Sequence, residues 1–98
     1  MSDRSELWPE DLCTIFSALG SPVRLRILSI IYETKRPLHI KAVAEALQMD
    51  YAAVYRHVDV LKKAKLVQIF EVGRSRVLSP LHADLIEQVF ALAQCIEK

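Results

Sequence analysis

A chain of 98 residues with 52% apolar side chains, two glycines and no low-complexity tract reads as one globular domain rather than a disordered linker. Its net charge of +1 hides a basic middle, because residues 35–76 hold nine Lys and Arg against four acids while residues 1–34 and 77–98 each sum to −2; that suits a polyanion touching only the middle, or equally an ordinary solvated surface. No basic-then-apolar leader opens the chain, no apolar run approaches the ~20 residues of a membrane span, and Cys13 and Cys95 lack Cys-x-x-Cys spacing, so a cytoplasmic protein with no membrane partner and no disulfide framework is expected.

The first helix is predicted to start near Pro9, with Glu10 and Asp11 favourable at its positive end. Its apolar positions Leu12, Ile15, Phe16 and Leu19 follow the i, i+3, i+4, i+7 pattern, Leu7 and Trp8 are placed to staple its entry, and Gly20 ends it. Ser21 reads as an N-cap and Pro22 as the first residue of a second helix running through Tyr32. Leu25, Ile27, Leu28, Ile30 and Ile31 form its buried stripe, leaving Arg24 and Arg26 on the other side. The polar break ETKRP, ended by Pro37, follows.

A short helix, Lys41–Leu47, then meets a turn at Gln48–Asp50, with Asp50 at the N-cap of a longer helix, Tyr51–Ala64. Val43, Ala44 and Leu47 on the first, joined by Ile40, and Val54, Val58 and Leu61 on the second, share a core side. A strand–Gly–strand ribbon follows, Val67–Val72 and Arg76–Leu78 around the loop GRS at 73–75. Ser79-Pro80 repeats the cap-plus-proline signal and is predicted to open a last helix to about Ile96. Along it Leu81, Leu85, Val89, Leu92 and Ile96 fall on one side at near coiled-coil spacing, broadened by Ile86, Phe90 and Ala93. The order of elements is that of a winged helix-turn-helix: mainly α, with a small β-hairpin wing. Two terminal helices this apolar (about 9–19 and 81–96) exceed what so small a core can cover, and a symmetric homodimer is expected, its interface built from Leu12, Ile15, Phe16, Leu85, Val89, Leu92 and Ile96.

Residues 16–28, FSALGSPVRLRIL, resemble the ArsR/SmtB family of winged-helix repressors, whose members commonly read close to ALADPTRLRIL there. Residues 43–67, VAEALQMDYAAVYRHVDVLKKAKLV, are similar to the family's LAEALGLSQSTVSRHLKVLREAGLV. Both motifs stand in the right order and spacing, and with the wing the resemblance covers roughly residues 12–80. The chain departs from the pattern at Lys65, where the family usually has the glycine that ends the helix, so either the cap differs or a lysine takes the left-handed conformation. It departs again at Tyr51, Ala52 and Ala53, which replace small hydroxyl residues.

The resemblance implies a very short strand at Leu38-His39, and a DNA-binding transcription regulator, a repressor, that takes an inverted-repeat operator in double-stranded DNA as a homodimer. In helix-turn-helix proteins the start of the second helix enters the major groove, so Tyr51, Ala52, Tyr55 and Arg56 are the candidates for base contacts. Arg56 suits a bidentate contact to guanine, and the two tyrosines have partial packing under the wing as their alternative role. Lys41, Lys62, Lys63, Lys65, Arg74 and Arg76 are the candidates for phosphate contacts, which set affinity and salt dependence rather than sequence. His57 is expected to be buried and hydrogen-bonded to backbone. The rival reading is a winged-helix protein–protein module without specific DNA binding. An enzyme is not expected, since the three histidines are scattered and no phosphate loop appears.

The family's metal sensors do not transfer well. Where its thiol site reads ELCVCDL, residues 37–43 read PLHIKAV, with His39 and Lys41 in place of the cysteines, which cannot hold a soft ion. Its last-helix zinc site maps onto His82-x-Asp84 and Cys95-x-x-Lys98, where a lysine replaces one ligand. No metal or other cofactor is therefore expected, with His82, Asp84 and Cys95 as the residual ligand candidates. An interchain disulfide between Cys13 and Cys95 stays open.

Overall fold

The computed structural model describes residues 9–98, which form five helices and three strands: α1 Pro9–Leu19, α2 Pro22–Thr34, β1 Leu38–His39, α3 Ile40–Leu47, α4 Tyr51–Lys63, β2 Val67–Val72, β3 Ser75–Pro80 and α5 Ala83–Glu97. The staple assigned to Leu7 and Trp8 lies outside the described residues. The sheet is antiparallel in the order β1-β3-β2, and the winged helix-turn-helix expected from the element order is present.

The core is built where the 3.6-residue period places it. Ile27, Leu28 and Ile31 of α2, Ile40 and Val43 of α3, and Val54, Val58 and Leu61 of α4 are fully buried, with Val67 and Leu78 of the sheet beneath them. Fully burying one such side chain contributes about 1.5–3 kcal/mol, so these three helices and the sheet carry most of the stability. Leu25 and Ile30, expected in the α2 stripe, are only half-buried, because they lie at the edges of a face narrower than five residues.

Ser21 caps α2, its Oγ accepting from the Arg24 amide at 3.3 Å, with Pro22 at the first turn. Asp50 stands at the α4 N-cap in extended conformation, but its side chain makes no capping bond. Three helix ends are closed by non-glycine residues in the left-handed region: Lys35 (φ 60°), Gln48 (φ 54°) and Lys65 (φ 64°). At the end of α4 the Lys65 amide donates to the Lys62 carbonyl (2.9 Å) and the Leu66 amide to the Leu61 carbonyl (3.0 Å), a Schellman closure. A Cβ there clashes with the carbonyl that follows, which glycine avoids. Lys65→Gly should therefore raise the unfolding free energy by up to about 1 kcal/mol, checked by urea denaturation; an unchanged midpoint would show no strain at Lys65.

The end of the wing differs from expectation. Ser79 and Pro80 do not cap the last helix; they are the final residues of β3, opposite Gln68 and Val67. β1 pairs with β3 only at Leu78 and Val77, so a proline two residues further on removes no ladder bond. The ladder continues to the Leu81 amide, which donates to the Leu66 carbonyl at 3.1 Å, and α5 starts at Ala83 with His82 as an N-cap that makes no side-chain bond.

The two terminal helices are only partly covered. Ala18 of α1 and Ile86 of α5 are buried, whereas Leu12, Ile15, Phe16, Leu85, Val89, Leu92 and Ile96 are all exposed, Phe16 by 67% and Ile96 by 74%. Between the helices runs an almost wholly apolar groove of about 390 Å³, lined by Ile15, Leu19, Leu85, Val89 and Phe90 with Lys65 and His82 at its margin. No single described helix is long and apolar enough to cross a membrane.

Candidate nucleic-acid interface

The turn between α3 and α4 sets the first edge of the interface. Gln48 in the left-handed region and the Met49 amide bonded to the Ala44 carbonyl at 3.0 Å reverse the chain within three residues. The start of α4 thereby comes to the surface beside the start of α3. The wing supplies the other edge. Val72 and Ser75 pair across a two-residue loop in which Gly73 alone takes a positive φ (62°), as at the first central position of a type II′ turn. Nothing lies within 4 Å of a Cβ built at Gly73, so its glycine answers to backbone conformation and not to crowding. The turn puts Arg74 at the tip.

These edges enclose a cleft of about 440 Å³ lined by His39 and Lys41, by Tyr51, and by Arg74, Ser75 and Arg76. Four sequence candidates thus meet, and the three expected at phosphates, Lys41, Arg74 and Arg76, come from elements more than 30 residues apart. Ala52 and Arg56 are exposed on the next positions of α4, and the one ion pair among the described residues, Lys63 with Asp59 at 3.0 Å, leaves Arg56 out.

Tyr55 has another setting than Tyr51. It is half-buried against the core, its ring stacks on Tyr51 (centroids 6.3 Å apart, planes 21°), and the Arg76 guanidinium lies 4.8 Å over its face. A cation over an aromatic face is attracted by the ring quadrupole, so this contact ties the wing to α4. The i, i+4 spacing of the tyrosines signals the stack; nothing local signals Arg76.

Lys62 and Lys63 are exposed at the far end of α4, roughly 15–20 Å along the helix from Tyr51 at 1.5 Å per residue. Lys65 lies at the margin of the apolar groove, on the side of α1 and α5 rather than in the cleft. His82, Asp84 and Cys95 are exposed, and among the described residues no three His, Cys, Asp or Glu side chains gather into a set able to hold a metal ion. Cys13 and Cys95 are free and exposed.

Two expectations are corrected. Arg24 does not point to solvent: its Nε donates to the Ala18 carbonyl at 2.7 Å, one terminal nitrogen to the Ser17 carbonyl at 3.1 Å, and the other lies 3.0 Å from Nδ1 of His57. His57 accordingly bonds a side chain, not backbone, and is half-buried. Helical period alone places Arg24 on the side away from the stripe, but a long guanidinium reaches back to two carbonyls at the end of α1, of which that of Ser17 also accepts from the Gly20 amide at 3.1 Å.

A helix-turn-helix domain model matches residues 19–68, half of the chain. None of the curated proteins is significantly similar. Among solved structures, a fragment of Mb0332 from Mycobacterium bovis, described as a homodimeric winged helix-turn-helix DNA-binding domain and a possible ArsR-family transcriptional regulator, is 24% identical with a TM-score of 0.79, over 99% of this chain and 87% of that one. NolR from Sinorhizobium fredii is 21% identical (TM-score 0.77, 97% and 93% of the two chains), and HlyU from Vibrio cholerae is 18% identical (TM-score 0.74, 94% and 97%).

Proposed function

Because the chain belongs to the helix-turn-helix domain family, on the winged fold it shares with ArsR-type regulators, we propose that it is a sequence-specific DNA-binding transcriptional repressor acting as a homodimer on an inverted-repeat operator. The observation that carries this reading is the cleft in which Lys41, Tyr51, Arg74 and Arg76 converge, with Arg56 exposed on the adjoining turn of α4 and outside the one described ion pair. A helix end and a basic loop at that separation suit a major groove and the phosphates beside it.

In this reading Tyr51, Ala52 and Arg56 meet base edges, and Tyr55, with its ring already engaged, offers its hydroxyl from a fixed position. Lys41, Arg74 and Arg76 hold phosphates flanking the groove, and Lys62 and Lys63 extend that contact along the backbone. The homodimer is supported by the exposed apolar stripes of α1 and α5, and by the likeness to the M. bovis domain, which is homodimeric. A two-fold dimer reads two half-sites related by the same symmetry.

Duplexes selected from a random pool should bind with log K falling against log salt at a slope near −5 or steeper, the value for about six released counterions. Footprints should show two half-sites about 10 base pairs apart. A salt-independent affinity would instead assign the fold to protein–protein contacts, and a single isolated half-site would exclude the dimer. A promoter fusion carrying the selected site should lose expression when the protein is present; a gain would make it an activator.

A further inference from the structure

The Arg24 side chain links two helices that the proposed function uses differently. Ser17 and Ala18, whose carbonyls it takes, belong to the last turns of α1, the helix with the exposed apolar stripe. His57, which it meets with its remaining nitrogen, lies 33 residues on, in the middle of α4 and next to Arg56. A guanidinium carries only donors, so Nδ1 of His57 is the acceptor and the ring proton sits on Nε2.

We propose that Arg24 and His57 are positioning residues that form a strut fixing the recognition helix against α1, and that the strut holds only while His57 is neutral. The effect on DNA rests on the reading of this chain as a DNA-binding dimer. Protonating Nδ1 turns the acceptor into a donor and sets two cations face to face at hydrogen-bond distance. Among the described residues the charged groups acting on the ring are two cations, Arg24 from α2 and Arg56 from its own helix, and the α1 atoms bonded to Arg24 are carbonyls. Burial first, then these two cations, hold the His57 pKa below the usual 6.5. Since the folded value lies below the unfolded one, the stability His57 contributes is complete above the unfolded pKa and is lost as pH falls through the folded value.

The direction of the pH effect separates a strut from general electrostatics. A positive charge gained near a polyanion tightens binding on acidification. A broken strut loosens it.

The test uses the full chain and a duplex it selects from a random pool, followed by fluorescence anisotropy at constant salt. From about pH 7.5 to about pH 5 the unsubstituted protein should weaken about tenfold, the worth of one hydrogen bond to a charged group, while His57→Asn, whose Oδ1 accepts from Arg24 and takes no proton, should change less than about twofold. Arg24→Lys should bind about tenfold more weakly at pH 7.5, with the salt slope, helix content and oligomeric state unchanged. Tightening of the unsubstituted protein on acidification, or Arg24→Lys binding as well as it does, would overturn the strut. Long-range proton–nitrogen NMR without DNA reads the ring directly. An Nε2–H tautomer titrating below 6.5 supports the strut even if no duplex is selected, in which case only the DNA reading fails; a proton on Nδ1 overturns it.

Discussion

Leu92→Glu should convert the protein to a monomer and weaken operator binding by about 10²–10⁴-fold, the factor by which joining two binding modules raises the local concentration of the second. Leu92 is 63% exposed on α5, so a carboxylate there displaces no core contact within one chain. In the proposed dimer the same carboxylate would be buried, and by symmetry twice, which apolar surroundings penalise heavily. Seven large apolar side chains uncovered on α1 and α5 are also more than an isolated small domain ordinarily shows in one region. Sedimentation at micromolar concentration reads the mass, circular dichroism the fold, and anisotropy the affinity. A Leu92→Glu protein that stays dimeric would remove α5 from the interface.

Arg56→Ala should cost about 1–3 kcal/mol on the selected duplex and relax discrimination at one base pair per half-site, leaving the salt slope unchanged. The residue is exposed and outside the one described ion pair, so its five donors are available and its removal uncovers no buried partner. Arg76 offers a contrast, because part of its guanidinium is already committed to the Tyr55 ring. Affinities for single-base variants of the operator are the measurement. If Arg56→Ala weakens every sequence equally and flattens the salt slope, Arg56 holds a phosphate instead.

Much of the architecture is legible from local physics. The period of the apolar residues places Val54, Val58 and Leu61 inward, Ser21-Pro22 opens α2, and the lysine in a glycine position does adopt the left-handed conformation. Local signals fail where two structures share one signature. Ser-Pro can begin a helix or end a strand, and at residues 79–80 the pairing with β2 decides for the strand. The convergence of Lys41, Tyr51, Arg74 and Arg76 is legible only as a charge trend, because three separate elements create the cleft. The Arg24–His57 bond is invisible to any helical pattern, since it joins residues 33 apart through side-chain length rather than facing direction.

The two-residue wing loop bears on how recognition is distributed between order and motion. Fixing a free backbone residue costs about 1–2 kcal/mol, so a wing with a long, loose tip spends part of each phosphate contact on stilling itself. Here Val72 and Ser75 already pair beneath the tip, and Arg74 has little freedom to surrender. In the proposed complex the tip would act as a fixed gauge, meeting the backbone only where groove width and phosphate spacing match its set reach. Duplex shape, and not base identity alone, would then be part of what the proposed regulator measures.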